Sequence, residues 1–223
     1  DQMKQTGIKA VILDLRYNPG GLLTTAIDVA NKFVKSGQMI VSTRPDRDTG
    51  AQPTSNAANG DVEKCDLPVV VLVNQYSASA SEIVSGALKD DHRALIVGER
   101  TFGKGSVQML FRLNDGSAYL KLTTSHYYLP SGRCLHREEN SKDWGVDPDV
   151  TVEMTPEQMR AAIDARQDLD VLRDNPAAGE QPKLEVKAQQ AAKAAPKKDL
   201  MGSDPQLAAA LLLLKLQLAG AQI

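Results

Sequence analysis

Three short apolar runs lie within the first hundred residues of the chain, and each predicts a strand. They are KAVILDL (9–15), PVVVLVN (68–74) and RALIVGE (93–99). Each run is continuous rather than alternating between apolar and polar positions, a pattern typical of strands that helices cover on both faces. We therefore expect these segments to form a buried sheet.

Helical periodicity fills the intervals between these runs. Apolar residues recur at helical spacing from Leu22 to Val34, and Gly37 marks an expected end. A second helical repeat follows the second run, at Ile83, Val84, Ala87 and Leu88. The order strand, helix, strand, helix, strand predicts an α/β core.

The pattern changes beyond residue 105. The segment VQMLFRLNDGSAYLKLTT predicts a β-hairpin that turns at Asn114, Asp115 and Gly116. By contrast, the segment RPDRDTGAQPTSNAANGD (44–61) is polar and rich in turn residues, which indicates an exposed loop or an irregular excursion.

The last seventy residues divide into three predicted segments. A Thr-Pro opening predicts a helix over 154–174, and an Ala-, Lys-, Gln- and Pro-rich composition predicts a linker over 175–202. Asp204 and Pro205 open a further predicted helix, 203–223, whose apolar run is too short for a membrane span. We expect this helix to pack on the core or on a partner subunit.

The beginning of the chain reads as the tail of a helix that runs directly into the first strand. A domain rarely starts in this way, so we expect an N-terminal part of a longer protein to be missing, with any targeting sequence.

The composition argues against a nucleic-acid-binding protein and against a metalloprotein. The chain has 223 residues, a formal net charge of -2 and 4% aromatic residues, which gives no basis for a nucleic-acid-binding surface. Cys65 and Cys134 form either one disulfide or two buried thiols, and without a CxxC motif they do not indicate a zinc site. The three histidines show no metal-ligand spacing, so no metal or cofactor is expected.

Ser77, Ser79 and Ser81 cluster where the second strand meets the second helix. Ser79 and Glu82 have the spacing of a capping box, which would make Ser79 a structural residue. A serine nucleophile would instead need a group that takes its proton. Lys104, flanked by two glycines, is the candidate base, because a partly desolvated amine loses its proton more easily; a solvated loop lysine is the alternative.

Four motifs in this order resemble the C-terminal processing peptidases (tail-specific proteases), which are serine endopeptidases with a Ser–Lys dyad. They are ILDLRYNPGGLL, PVVVLVNQYSASASEIVSGALKD, RALIVGERTFGKGSVQ and LKLTTSHYYLPSGR followed by WGVDPDV, between residues 8 and 150. The resemblance implies that Ser79 is the nucleophile, Lys104 the general base and Gln108 the residue that orients the lysine. Asp90 matches an acidic position associated with the site, although aspartates at helix ends commonly have structural roles.

The resemblance also implies an oxyanion hole, formed by the backbone N–H of Ala80 and one N–H from Gly20 or Gly21. Glycines between a buried strand and a helix let the backbone approach a substrate carbonyl, although such a turn often requires glycine for its own geometry. Arg16 and Asn18 are expected to shape this loop. Ser77 and Ser81 are assigned to the geometry of the serine turn.

The implied fold is a crotonase/Clp-protease-like α/β spiral, with an added β-hairpin region and C-terminal helices. Residues 1–153 would form the catalytic core, without the PDZ domain that often precedes it in this family. The implied activity is cleavage of proteins with accessible C-termini, near those termini, in the cell envelope or periplasm. A homo-oligomer or docking through the C-terminal helix would fit this organisation.

Two other functions deserve comparison. The same fold is used by catalytically inactive modules that bind a ligand or peptide, but such a module need not keep Ser79, Lys104 and Gln108 together. It is also used by crotonase-type acyl-CoA enzymes, which use paired backbone N–H groups without a serine nucleophile. The four motifs fit this second alternative poorly.

Overall fold

The computed structural model describes residues 7–46, 50–113, 116–170 and 200–221. The chain divides into two compact units, one formed by Asp1–Glu153 with Ala209–Ile223 and the other by Met154–Ala208. The fold is mixed α/β, with one parallel and one antiparallel sheet in the first unit.

The elements are numbered in chain order. The strands are β1 (Val11–Asp14), β2 (Met39–Pro45), β3 (Thr54–Ala57), β4 (Val69–Val73), β5 (Leu95–Gly98), β6 (Ser106–Arg112), β7 (Tyr119–Tyr128) and β8 (Val150–Thr151). The helices are α1 (Leu23–Asn31), α2 (Ala80–Asp90), α3 (Pro156–Asp170), α4 (Leu200–Ser203) and α5 (Pro205–Leu218).

The three continuous apolar runs form neighbouring strands of a parallel sheet, but the expected burial holds only in part, because β1 lies at the sheet edge and its four residues are half-buried. The strand order is β1-β4-β5-β8, with Val11 opposite Val69 and Val71 opposite Ile96. All five residues of β4 are buried, which explains why its sequence contains no polar position. The short strand β8, at the edge of this sheet, was not predicted.

Helix α2 packs against a strand of each sheet, β5 and β2, and against α1. The four predicted apolar positions are all buried, with Ala87 and Leu88 completely inaccessible to solvent. Helix α1 buries Ala26 and Ala30 and ends at Asn31, well before Gly37.

The second sheet is antiparallel, in the order β3-β2-β7-β6. The predicted strand pairing of the hairpin is confirmed, because β6 and β7 pair from Ser106–His126 to Arg112–Tyr119. Asn114 and Asp115 of the predicted turn lie outside the described residues. The prediction of a loop over 44–61 is wrong in part, because β2 extends to Pro45 and β3 occupies Thr54–Ala57. Most side chains of β3 are exposed at the sheet edge, so its polar sequence carries no strand pattern.

The helix openings in the C-terminal region are confirmed by their caps. The Gln158 N–H donates to Oγ1 of Thr155 (3.3 Å), and the Thr155 N–H donates to Oε1 of Gln158 (2.8 Å). In the same unit the Leu207 N–H donates to Oδ1 of Asp204 (3.0 Å). The predicted linker lies largely outside the described residues, and the predicted helix over 203–223 is observed as α5, Pro205–Leu218.

Two further expectations concern the cysteines and the length of the helices. Cys65 and Cys134 are both half-buried and are not bonded to each other. Of the helices in the described part of the chain, none is long and apolar enough to span a membrane.

Candidate active site

Three loops meet at one edge of the parallel sheet. They follow β1, β4 and β5, and the carboxyl ends of neighbouring parallel strands lie at the same edge of a sheet. The first loop carries Gly20 and Gly21, the second carries Ser79 and the third carries Lys104. The fold therefore brings together residues that are far apart in sequence.

Ser79 occupies the turn immediately before α2 and has an unusual backbone. Its φ of 56° and ψ of -116° lie in a region that costs a non-glycine residue free energy and is typical of functional sites. The Ala78 N–H donates to the Asn18 carbonyl (3.0 Å), and the Ser79 N–H donates to Oε2 of Glu82 (2.7 Å). Neighbouring groups thus hold Ser79 at the positive end of the α2 dipole.

Glu82 links the serine turn to the lysine loop. Its Oε2 also accepts the Lys104 N–H (2.8 Å), and its Oε1 accepts the Gly103 N–H and the Thr101 hydroxyl (2.6 Å each). One carboxyl oxygen therefore holds the main chains of Ser79 and Lys104 side by side. The side chain has no solvent exposure; burial raises the pKa of Glu82, whereas its four hydrogen bonds lower it.

The sequence assigned Glu82 only to the helix cap, and this assignment missed its larger role. The available signal was a carboxylate one turn into an otherwise buried helix, among residues such as Ile83, Val84 and Ser85. A buried carboxylate needs several donors, and the cap supplies only one. The other donors come from a loop nineteen to twenty-two positions further along the chain.

The side chains of Lys104 and Gln108 are exposed. Among the described residues, no hydrogen bond joins the Lys104 amine to Ser79 or to Gln108. A register shift between Val107 and Gln108 interrupts the regular alternation of β6, so the four-residue spacing does not fix the direction of Gln108.

The glycines beside Lys104 have a packing role that the sequence did not indicate. A side chain at Gly103 would lie 2.5 Å from Cδ1 of Trp144, and one at Gly105 would collide with the backbone of His136. The guanidinium groups of Arg100 and Arg137 each lie over the ring of Trp144 (4.2 and 4.7 Å from its centre). These contacts with Trp144 and His136 restrict the position of the loop that carries Lys104.

The structure distinguishes the two glycines proposed for the oxyanion hole. The Gly20 N–H donates to Oδ1 of Asn18 (2.9 Å), so it is not available to bind an oxyanion. In the described part of the chain, the N–H groups of Gly21 and Ala80 have no hydrogen-bond partner. Gly20 packs against the serine turn instead: an added Cβ would lie 2.6 Å from the Ala78 oxygen and 2.7 Å from the Ala80 nitrogen.

Ser77 and Ser81 connect the loops, which confirms their assignment to the turn geometry. The Ser77 hydroxyl donates to the Leu15 carbonyl (2.8 Å), and the Ser81 hydroxyl donates to the Asn18 carbonyl (3.0 Å). Arg16 is almost fully buried and forms a two-point ion pair with Asp14 (3.0 and 2.8 Å), consistent with shaping the first loop.

Asp90 lies elsewhere. It is the last residue of α2, whereas Ser79 precedes the first, and eleven helical residues span about 16 Å. Its Oδ2 accepts the Ser131 N–H (2.9 Å). This placement does not bring Asp90 to the serine turn, and it fits the structural alternative for a helix-end aspartate.

The histidines also lie outside the serine turn. His126 pairs with Asp46 (2.7 Å) and its ring lies 4.6 Å from that of His136, centre to centre. Burial and the neighbouring His126 lower the pKa of His136. Across the residues that the structure describes, no group of three His, Cys, Asp or Glu side chains could hold a metal ion.

Comparison with known proteins gives a consistent result. A carboxy-terminal-processing protease of Bartonella bacilliformis is 46% identical over 146 residues, which cover 66% of this chain and 31% of that protein. A probable CtpA-like serine protease of Staphylococcus aureus is 43% identical over 147 residues, covering 66% and 28% respectively. The chain thus spans about a third of the length of these relatives.

A solved structure resembles this fold over the same region. The photosystem II D1 C-terminal processing protease is 37% identical with a TM-score of 0.59, over 68% of this chain and 36% of that one. The sequence model of Peptidase family S41 matches residues 1–152. This range is more than half of the chain and contains the three loops of the candidate site. The chain therefore belongs to peptidase family S41.

Proposed function

We propose that this chain carries the catalytic core of a serine endopeptidase that cleaves proteins near their C-termini through Ser79 and Lys104. The observation that supports this proposal most directly is the shared oxygen of Glu82, which holds the backbones of the two residues next to each other. Membership of peptidase family S41 and the similarity to C-terminal processing proteases support the same activity.

The proposed reaction begins with the neutral amine of Lys104. This amine accepts the proton of the Ser79 hydroxyl while Oγ of Ser79 attacks the carbonyl carbon of a peptide bond. The C–N bond then breaks, and the Lys104 ammonium returns the proton to the departing amine. Water hydrolyses the resulting ester and regenerates the free serine.

The developing oxyanion is assigned to the N–H groups of Ala80 and Gly21. Both are unpartnered among the described residues, whereas the N–H of Gly20 is bonded to Asn18. Donors that are fixed before the reaction stabilise the transition state without further reorganisation. The N-terminus of α2 adds a favourable field at the same place.

The exposed side chain of Lys104 gives substrate binding a second role. A peptide that covers the site would exclude water from the amine and favour its neutral form. The amine would then turn toward Ser79, and Gln108, on the strand that follows, would orient it. In this proposal the dyad is completed by the substrate.

The direct test is digestion of a disordered protein by the full-length protein, with the cut sites mapped by mass spectrometry. Wild type should cut near the C-terminus, Ser79→Ala should not, and Ser131→Ala should act as wild type. Residue 131 is an exposed serine outside the site. Cleavage by Ser79→Ala at the wild-type rate would refute the proposed nucleophile.

A catalytically inactive peptide-binding module is the second candidate function. The observation that favours it is the missing contact between the Lys104 amine and Ser79 among the described residues. Binding of a peptide by wild type and Ser79→Ala alike, with no cleavage by either, would establish this alternative.

The family relationship also suggests a location. We infer that the protein acts in the cell envelope, on proteins with accessible C-termini.

The exposed side chains of α5 suggest an assembly. On α5, Leu212, Leu216 and Leu218 are 58%, 39% and 49% exposed, so this helix is a candidate for self-association. Unchanged mass in solution after deletion of 203–223 would contradict that role.

A further inference from the structure

Two tyrosines from different loops stack at the sheet edge where the loops of Gly20, Ser79 and Lys104 meet, which we call the catalytic edge. Tyr17 follows β1 and Tyr76 follows β4, and their ring centres lie 5.6 Å apart with an interplanar angle of 21°. Tyr17 is 36% exposed and Tyr76 is 53% exposed. A stacked aromatic pair thus presents apolar surface to solvent instead of to the core.

A single buried asparagine holds this pair in place. Oδ1 of Asn74 accepts the N–H of Tyr17 (3.0 Å) and the N–H of Tyr76 (3.1 Å), and Asn74 is only 2% exposed. Tyr17 has a φ of 59°, a conformation that is costly for a bulky side chain. The backbone is therefore fixed in an unfavourable conformation that directs an aromatic ring outward at a functional edge.

The pair is carried by the two loops that meet at the serine turn. Tyr76 lies three positions before Ser79, on the same loop. The loop of Tyr17 contacts that turn directly, because the Asn18 carbonyl accepts the Ala78 N–H and Gly20 lies against the backbone on either side of Ser79, at the Ala78 oxygen and the Ala80 nitrogen. A peptide placed over Ser79 would have this aromatic pair beside it.

Further large apolar side chains are exposed on the first and third loops. Leu22, which follows the two glycines, is 72% exposed, and Phe102, two residues before Lys104, is 55% exposed. The Phe102 N–H donates to the Ser77 carbonyl (3.0 Å), which ties that residue to the serine turn. Each of the three loops of the candidate site thus exposes at least one large apolar side chain.

We propose that Tyr17 and Tyr76 form an aromatic wall that selects an apolar substrate side chain close to the bond that is cut. This inference rests on the proposed peptidase function and adds a preference that neither the catalytic residues nor the oxyanion donors explain. An aliphatic or aromatic side chain removes water from the faces of both rings, whereas an amide or charged side chain packed against those faces would lose part of its own hydration. Because the rings are already ordered, little conformational freedom is lost on binding.

The experiment uses the full-length protein and two peptides that differ only in Leu or Asn at one position beside the mapped cut. The measured quantity is the ratio of kcat/KM for the two peptides. Tyr17→Ala and Tyr76→Ala should each lower this ratio by about 10-fold, the scale on which apolar pockets discriminate. Tyr17→Phe and Tyr76→Phe should keep the wild-type ratio, because the ring and not the hydroxyl provides the selection.

Tyr119→Ala is the matched control, since Tyr119 is 61% exposed at the distal end of the hairpin and should leave the ratio unchanged. Tyr76→Glu should raise the relative rate on a peptide with Lys at the same position, a gain that a misfolded variant cannot produce. Cleavage that depends on Ser79 but keeps one Leu:Asn ratio in all variants would overturn the aromatic wall alone. Absence of any cleavage that depends on Ser79 would overturn the proposed function, and the wall with it.

Discussion

The catalytic edge and the distal part of the β6–β7 hairpin are built in opposite ways. At the catalytic edge the residues that connect the loops are polar and buried, including Glu82, Asn74 and Ser77, and each forms several hydrogen bonds. In the hairpin the side chains are apolar and exposed, as at Leu110 (65%) and Leu122 (45%). In these two regions the usual pattern is reversed, because polar side chains are buried in one and apolar side chains are exposed in the other.

The difference indicates what each region does. A buried polar network fixes loop positions because leaving any one member unsatisfied is costly. Exposed apolar residues on a hairpin contribute little to the fold and more commonly mark a contact surface. We expect substitutions at the catalytic edge to affect activity strongly, and substitutions of exposed apolar residues in the distal part of the hairpin to leave both activity and stability nearly unchanged.

Glu82→Gln should have the largest effect. All four groups that bind this carboxyl group are donors, so the amide NH2 of glutamine would face N–H groups it cannot accept from. We expect a loss of about 100-fold in kcat, since misplacing reacting groups by 1 Å has effects of this size. The free energy of unfolding should fall by about 1–3 kcal/mol.

These two effects are measured by peptide cleavage and denaturant unfolding. Glu139→Gln is the control, because it is an exposed glutamate outside the site. Wild-type kcat in Glu82→Gln would show that the shared carboxyl group does not position the two catalytic residues.

Gly20→Ala should have the next largest effect. The added methyl group would approach the Ala78 oxygen and the Ala80 nitrogen to 2.6 and 2.7 Å, and the φ of 92° is itself unfavourable for alanine. We expect kcat/KM to fall by roughly 10-fold, because the serine turn must shift. Gly60→Ala, where the nearest contact is an ordinary 3.6 Å, should cleave at the wild-type rate; equal activity of both variants would contradict the close packing at Gly20.

A pH-dependent difference in stability should also separate wild type from Glu82→Gln. Burial raises the pKa of Glu82 in the folded protein above its usual value of 4.5, so the folded state keeps this proton to a higher pH than the unfolded state. The stability that wild type has relative to Glu82→Gln should therefore fall as pH rises from 4.5 through the raised pKa, and then level off. Denaturant unfolding between pH 4 and pH 8 measures this difference, and an increase over that interval would contradict the direction of the shift.

The smallest effect is expected in the hairpin. Leu110→Ser changes an exposed side chain with few neighbours, so the free energy of unfolding should change by no more than about 0.5 kcal/mol. Cleavage of a short peptide should be unaffected. A large loss of stability on thermal or chemical unfolding would show that this face is covered within the protein itself.

Sequence patterns predicted the parts of the fold that are set locally. The runs ending at Leu15, Asn74 and Glu99 became neighbouring strands of one sheet, of which β4 is fully buried and β1 is half-buried. Thr155 and Asp204 cap helices as their neighbours indicated. Strand β3 was missed, because an edge strand with exposed side chains needs no apolar pattern. Its strand conformation depends on antiparallel pairing with the preceding strand β2, which the polar sequence of β3 does not indicate.

The candidate site divides in the same way. The motifs that indicated Ser79 and Lys104 are local, and the fold brings both residues to one edge. Gly20 and Gly21 are indistinguishable in sequence, and only the backbone shows that the first donates to Asn18. The second role of Glu82 depends on a loop that the fold brings back to α2, which no local pattern contains.

The central claim is that Ser79 and Lys104 act as one catalytic unit, and the rate of Lys104→Ala tests it most directly. Lys121→Ala, which removes an exposed lysine on β7, is the matched control. The account predicts that Lys104→Ala in the full-length protein loses at least about 1,000-fold in kcat, as Ser79→Ala does, while the control keeps wild-type activity. Digestion of an unfolded protein by Lys104→Ala at the wild-type rate would contradict it.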